Sequence, residues 1–307
     1  MPGDLTLNLA SLPPAFEERF EIFTSFDGYE GVVQWPRIER NSTFAVLPSL
    51  LTSDEVRTLR DALPESMPFE QHEDSVDGEV THEFWVWDKG GPDSGKRGPD
   101  LGEAARRQHK DAKKGLAPMV ADILKRFADV VSARYGSELC GSAGCVPCSS
   151  LIRRYLPHER RSHPMHFDME ALATVVVSLS DDYEGGLYVH TGGKAPPQYL
   201  TLAPGAAVVH SSDLLHGVRV TSGSRWSWVT WFSDGGRSDD PEDAPSRAPE
   251  QQCSPQRYAL WDMEAAKAGD PVRQLLHYFR LPPGAPGRVD WLRASAKAGF
   301  AVCKAYH

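Results

Sequence analysis

The chain has 307 residues, room for one large domain with an appendage or for two domains. Its 33 Lys plus Arg against 42 Asp plus Glu leave a net charge of −9, and with no long basic run this argues against a nucleic-acid partner. No stretch approaches the roughly eighteen apolar residues of a membrane span, and Met1-Pro2-Gly3-Asp4-Leu5 has no charged segment leading into an apolar one, so a non-membrane, cytoplasmic protein is expected.

Residues 1–42 are acidic and irregular, with Phe16, Phe20, Phe23 and Phe26 at loose helical spacing, and read as a leader that packs on the main domain. The main domain spans 43–235. Phe44-Ala45-Val46-Leu47 reads as a strand. Thr52-Ser53-Asp54-Glu55 has the form of a capping box; Val56, Leu59 and Leu63 give its helix an apolar stripe, and Pro64 stops it. Glu83–Trp87 reads as a strand. Residues 88–100, rich in Gly, Pro and charge, read as an exposed loop. A helix is predicted from Pro118 to Gly136, with Met119, Ile123, Phe127 and Val130 on its buried face.

From about 148 to 234 short apolar or alternating runs are divided by turn residues. Ser150–Tyr155, Leu172–Ser180, Leu187–Thr191, Gln198–Leu202, Ala206–His210, His216–Val220 and Arg225–Ser233 all read as strands. Many short strands at this spacing predict an antiparallel sandwich or jelly-roll barrel. Residues 236–254 form a linker. In 255–307, Trp261-x3-Ala265-Ala266-Lys267-Ala268-Gly269 recurs as Trp291-x3-Ser295-Ala296-Lys297-Ala298-Gly299. Small residues one turn apart let helices approach closely, and each Gly stands where a helix would end. This segment resembles the Sel-like helical repeats related to tetratricopeptide repeats. With fewer than two units it is expected to pack on the barrel or to support a homodimer.

Three of the five cysteines cluster as Cys140-x4-Cys145-x2-Cys148. Three thiols fall one short of a closed zinc site. A disulfide or redox pair is the alternative; with no secretory context they are read as reduced residues of a connector, and Cys253 and Cys303 as packing residues.

The candidate chemistry lies in the strand region. Residues i and i+2 of a strand share a face, so His166 and Asp168 can point inward together while Phe167 points away. His216 opens a later strand, and the turn 221–224 leads into Arg225, which shares a face with Ser227, Val229 and Trp231. Two imidazoles and a carboxylate suit a divalent iron with open positions opposite. The planar fork of an arginine suits an acid held beside that metal. His163 would face away from His166 on a regular strand and ranks second as a ligand; His158 and His190 read as surface or supporting residues. His210 reads as reaching the pocket rim or as a partly buried residue at a strand end.

The compound pattern resembles the Fe(II)/2-oxoglutarate-dependent dioxygenases, in particular their prolyl 4-hydroxylase-like branch. Arg154-Tyr155 stands eleven residues before His166, where that branch often carries a tyrosine near the oxoglutarate. Tyr183-Glu184-Gly185-Gly186-Leu187 matches its GG turn, Pro204-Gly205-Ala206-Ala207-Val208 the strand before the distal histidine, and Trp231 a frequent pocket-lining tryptophan. The resemblance covers about 43–234. Two departures stand out: Ser178-Leu179 replaces a Tyr-Leu pair whose tyrosine binds the oxoglutarate, and His210 replaces a usual aromatic.

The resemblance implies an α+β fold, a double-stranded β-helix (jelly-roll) core flanked by N-terminal helices, with the small C-terminal α-helical repeat segment. It implies Fe(II) on His166, Asp168 and His216. It also implies 2-oxoglutarate held through Arg225 with Tyr155, Ser227 and Trp231, consumption of O2, and ascorbate as a candidate reductant. The reaction implied is hydroxylation of an unactivated C–H bond with release of succinate and CO2. Asp168 favours hydroxylation over halogenation, because halogenating relatives carry a small residue there. The expected acceptor is a prolyl or other residue of a protein or peptide, with a free amino acid or other small molecule as the alternative. A non-catalytic jelly-roll binding module and a cupin-like metal enzyme are the competing readings; a complete ligand set with Arg225 speaks against both.

Overall fold

The computed structural model describes residues 44–74, 76–88, 102–140, 144–168, 171–190, 198–212, 214–234, 253, 263–282 and 284–298. The expected leader, the loop expected at 88–100 apart from Asp88 at the end of β3, and most of the linker lie outside these residues. Eleven strands and five helices follow one another along the described chain. They are β1 (Phe44–Leu47), α1 (Ser53–Ala62), β2 (Glu70–Glu73), β3 (Val80–Asp88), α2 (Glu103–Cys140), β4 (Cys145–Tyr155), β5 (Ser162–His166) and β6 (Ala173–Ser178). Then come β7 (Tyr183–His190), β8 (Gln198–Tyr199), β9 (Ala207–Ser211), β10 (Leu215–Gly223), β11 (Arg225–Asp234), α3 (Met263–Lys267), α4 (Pro271–Arg280) and α5 (Arg288–Lys297).

The strands form two antiparallel sheets. The larger has the order β1-β9-β6-β11-β4-β3-β2 and the smaller β5-β10-β7-β8. One apolar layer joins Tyr155, Val176 and Val208 of the larger sheet to Leu187, Val189, Val218 and Val220 of the smaller, so the sheets face each other across a shared interior. This is the jelly-roll arrangement expected from the strand spacing. On the outer face of the larger sheet, Ile123, Phe127 and Val131 of α2 pack on Phe84, Ile152 and Trp228. Phe127 meets Trp228 edge-on at 5.3 Å between ring centres. Each such fully buried apolar side chain contributes about 1.5–3 kcal/mol.

The capping box at α1 forms as the sequence predicts. Thr52 Oγ1 accepts from the Glu55 amide at 3.2 Å, and the Glu55 carboxylate accepts from the Thr52 amide at 2.8 Å. Glu55 also receives Arg126 of α2 at 2.8 Å. That guanidinium holds the Glu55 carboxyl down at about 2 against the cost of its burial. The entry helix is thereby fastened to the long one.

Two expectations need correction, and one strand was not expected. The long helix begins at Glu103, not at Pro118, which lies within it; Gly136, at φ 67°, breaks its path near the predicted end. The sequence before Pro118 is strongly helix-forming and outweighs the local break. Strand β2, Glu70-Gln71-His72-Glu73, has no apolar alternation, and pairing with β3 alone defines it. Four of the cysteines are not reduced, and Cys303 lies outside the described residues. Cys140 is bonded to Cys145, and Cys148 to Cys253, 105 residues away with Cα atoms 5.1 Å apart. Nothing in local sequence shows that contact.

Beyond Cys253, α3, α4 and α5 pack on one another. Gln274 donates to the Ala266 carbonyl at 2.9 Å and Ser295 to the Pro271 carbonyl at 2.6 Å. Gly269, at φ 102°, stands just past α3, at the helix end the sequence predicts. Leu275 and Leu292 join the main apolar core. Trp261 and Gly299, at the outer ends of the two sequence repeats, lie outside the described residues, and the three helices do not establish a Sel-like repeat.

The Cys148–Cys253 bond closes a long loop, so removing it frees the unfolded chain. Cys253→Ser is expected to cost about 2–5 kcal/mol, read as a fall in thermal midpoint that a reducing agent reproduces in the wild type and does not deepen in a variant lacking both bonds. An unchanged midpoint would show that the bond carries no stability.

Candidate metal centre

His166 ends β5, and Asp168 lies just beyond it, off the strand. His216 is the second residue of β10 and sits directly opposite His166 in the antiparallel register. Two strands of the smaller sheet thus bring both imidazoles together, with ring centres 4.4 Å apart. His166 Nε2 is 3.5 Å from Asp168 Oδ1, and His216 Nε2 is 3.7 Å from Asp168 Oδ2. One ligand atom from each of the three residues lies within 4.8 Å of the others. Metal–ligand bonds of about 2.0–2.2 Å place neighbouring ligands about 3–4 Å apart, so the three residues fit a divalent ion with little closure.

The backbone sets which nitrogen faces that ion. His166 Nδ1 is 2.9 Å from the Pro164 carbonyl and His216 Nδ1 3.0 Å from the Leu214 carbonyl. A carbonyl only accepts, so each Nδ1 carries the proton and each Nε2 presents a lone pair inward. Burial pushes the His216 imidazole down to about 3, with His166 and His210 adding to the effect. It is therefore a neutral ligand at neutral pH. Burial raises the Asp168 carboxyl, but the neighbouring His216 and His166 side chains outweigh it and hold the acid well below its usual range. Thr174 Oγ1 also donates to Asp168 Oδ2 at 2.5 Å.

His163 does not face away from His166. Between β10 and β5 the register runs from His216 opposite His166 to Val218 opposite His163, two residues against three. That extra residue is a β-bulge, which reverses the alternation of side chains. The two rings lie 4.2 Å apart. His163 is buried, with Asp74 at 3.5 Å and Arg160 at 3.3 Å from Nδ1. Burial and the neighbouring His166, Arg153 and Arg160 keep it neutral.

Arg225 opens β11 after a tight turn at Gly223, whose φ of 71° and contact with the Asp182 carbonyl leave no room for a Cβ. It is 1 % exposed. Nη1 donates to Ser227 Oγ at 3.1 Å, placing both on one inward face as the strand alternation predicts. Nε and Nη2 are buried and have no hydrogen-bond partner among the described residues. Tyr155, directly opposite on β4, lies with its ring centre 5.6 Å from the guanidinium carbon, and Tyr183 at 5.9 Å. The Tyr183 hydroxyl is 3.4 Å from Ser178 Oγ. Tyr183 opens β7, whose Gly185-Gly186 pair lies within the strand and not at the expected turn, and it occupies the surroundings left by Ser178 in the missing Tyr-Leu pair. Its role was not legible locally, because the strand reversal decides where its ring falls.

Trp231 is half-buried and sits between Ser149 and Thr174 in the larger sheet, away from the Arg225 end of β11. His158 is exposed. His210 is neither at a pocket rim nor partly buried: it is fully enclosed, with Nε2 3.7 Å from Asp168 Oδ2.

No protein-family profile matches the chain, and no curated protein matches it. Solved structures do resemble its fold. One is a 2OG-Fe(II) oxygenase family oxidoreductase from Burkholderia pseudomallei, 21% identical, TM-score 0.44, with 64% of this chain and 88% of that chain covered. Another is a Pseudomonas putida prolyl-4-hydroxylase, 17% identical, TM-score 0.39, with 64% and 96% covered. A third is EvdO2 from Micromonospora carbonacea var. aurantiaca, solved with 2-oxoglutarate, 19% identical, TM-score 0.41, with 70% and 97% covered. Similarity at this level carries no argument about activity, which rests on the side chains described above.

In the metal-free protein an unfolded His216 takes up a proton near pH 6.5, whereas the folded one refuses it until about 3. The unfolded state binds more protons across that window, so stability falls as pH falls through it. Denaturant midpoints at about pH 7.5 and about pH 4.5 are expected to differ less for His216→Gln than for wild type. Equal differences would show that His216 is not held neutral.

Proposed function

We propose that the chain is an Fe(II)- and 2-oxoglutarate-dependent hydroxylase. The observation that carries this reading is Arg225. A guanidinium stays charged at any working pH, and enclosing it with unfilled donors costs several kcal/mol unless an anion completes it. Nε and Nη2 point to an acid of the substrate or co-substrate. A metal centre alone needs no such group.

His166, Asp168 and His216 would hold the iron on one face, through two imidazole Nε2 atoms and one ionised carboxylate. Bound iron with oxoglutarate supplies the oxygen activation that attacks an unactivated C–H bond, with succinate and CO2 as co-products. The chain's own part is placement. Arg225 offers a fork to the far carboxylate of the co-substrate. Ser227 holds that fork in position through Nη1. Tyr155 and Tyr183 wall it with ring faces, which attract a guanidinium and keep water from it. Asp168, ionised and held by Thr174, neutralises charge at the metal. Trp231 and Val229, half-buried farther along β11, are offered to the acceptor substrate.

The acceptor proposed is a prolyl or other residue of a polypeptide, on the strength of the prolyl 4-hydroxylase-like sequence pattern. A free amino acid is the alternative. The two disulfides weigh against the cytoplasmic expectation, since such bonds persist in oxidising surroundings. No described helix is long and apolar enough to cross a membrane.

Anaerobically purified protein supplied with Fe(II), 2-oxoglutarate and then O2 is expected to release succinate, and Asp168→Ala to lose both iron and turnover. Arg225→Ala is expected to keep iron and to raise the oxoglutarate requirement by about thirtyfold or more, the ratio set by about 2 kcal/mol for a buried charge partner. Iron loss in Arg225→Ala would show that the arginine supports the metal instead. Metal uptake with no oxoglutarate binding would favour a cupin-like enzyme of another reaction type.

A further inference from the structure

Between β3 and α2 lies an apolar cleft that the proposed reaction does not use. It holds about 230 Å³, and Phe84, Val86, Leu116, Ala117, Val120 and Leu124 line most of it. Lys113 lines it too, with its ammonium 5.7 Å from the centre of the Phe84 ring. A small-molecule pocket runs to roughly 300–1,000 Å³ and has several converging polar groups, so this cleft suits apolar side chains better than a ligand. It also borders an open sheet edge. Strand β2 pairs with β3 only over Val80–Glu83, and no other strand meets that edge from Phe84 to Asp88 among the described residues. Such an edge invites a second chain unless something covers it.

We infer that the cleft is the seat of this chain's own residues 16–26. That segment reads Phe16-Glu17-Glu18-Arg19-Phe20-Glu21-Ile22-Phe23-Thr24-Ser25-Phe26. On a helix Phe16, Phe20 and Phe23 fall on one face, the i, i+4, i+7 spacing by which a helix anchors in a groove. Charge agrees. From Ala15 to Glu30 five acids stand against one arginine, whereas from Arg106 to Lys125 the long helix carries six Lys or Arg against two Asp, in a chain of net charge −9. Opposite fields of this kind draw two surfaces together. Reach agrees as well. Strand β1, which Phe44 opens, is five strand spacings from β3, about 24 Å. The 17 residues from Asp27 to Thr43 extend to roughly 56 Å. Residues 89–101, between β3 and α2, are nearer, but Leu101 is their one large apolar side chain, so they have little to seat.

Photo-reactive p-benzoylphenylalanine in place of Phe20, in the full chain, tests this. Irradiation is expected to give a product of single-chain mass whose new bond lies in 84–86 or 113–124, read by peptide mass mapping. Ala121 lines the cleft and is exposed, so Ala121→Asp keeps the fold and puts a charge where the rings would sit. It is expected to cut the yield by about tenfold or more, since a carboxylate enclosed by apolar groups is costly, with the circular dichroism unchanged. Phe16→Ser combined with Phe23→Ser is expected to do the same. A product joining two chains would assign the segment to a second copy. A bond elsewhere in the chain, or no bond, would show that the cleft does not hold it. Each of these results overturns the inference, as does an unchanged yield in Ala121→Asp. None of the readouts needs iron or oxoglutarate, so the inference stands or falls apart from the proposed reaction.

Discussion

An ionised carboxylate removed from water has to be surrounded by groups that favour its charge, and Asp168 is the point where this chain meets that requirement. It lies just past the end of β5, within reach of His166, His216, His210 and Thr174. Those partners come from four strands in both sheets. The acid can keep its charge only if the two sheets close with these registers. Conversely, the closed barrel makes the His216 imidazole neutral through burial, which leaves its Nε2 lone pair for a cation. The fit of these residues to a metal ion is therefore a property of the closed fold as much as of the residue types.

Arg225 is the complementary case, a buried cation beneath two tyrosine rings. Its placement depends on the tight turn at Gly223 and on the Tyr155 pairing across β4 and β11. A one-residue slip in that hairpin would send it to the opposite face, against α2 and the apolar core. Its unfilled donors are thus a directed feature of the architecture. With Asp168 they give the interior one acidic and one basic anchor.

The resemblance at the sequence level and the geometry support each other on these anchors and part company at the edges. The Cys148–Cys253 bond stitches the C-terminal segment to β4, a central strand of the larger sheet, and Leu275 and Leu292 continue its core. The C-terminal helices are therefore an addition to the barrel rather than an independent array.

What the sequence determined by itself was local and periodic. The capping box at Thr52, most strand runs, the turns at Gly205 and Gly223, and the parity that puts Arg225 with Ser227 all follow from short-range sterics and hydrogen bonding, and they reappear in the structure, whereas Gly185-Gly186, read as a turn, lies within β7. The ligand residue types were legible for the same reason, since metal chemistry restricts them sharply. Tertiary structure decided the rest. A bulge in β5 turned His163 toward His166, sheet order set His210 and Thr174 against Asp168, the hairpin brought Tyr183 to Arg225, and a long loop joined Cys148 to Cys253. Each of these depends on which strand lies beside which and in what register, and that choice is made by burial of the whole interior, not by any neighbouring residues.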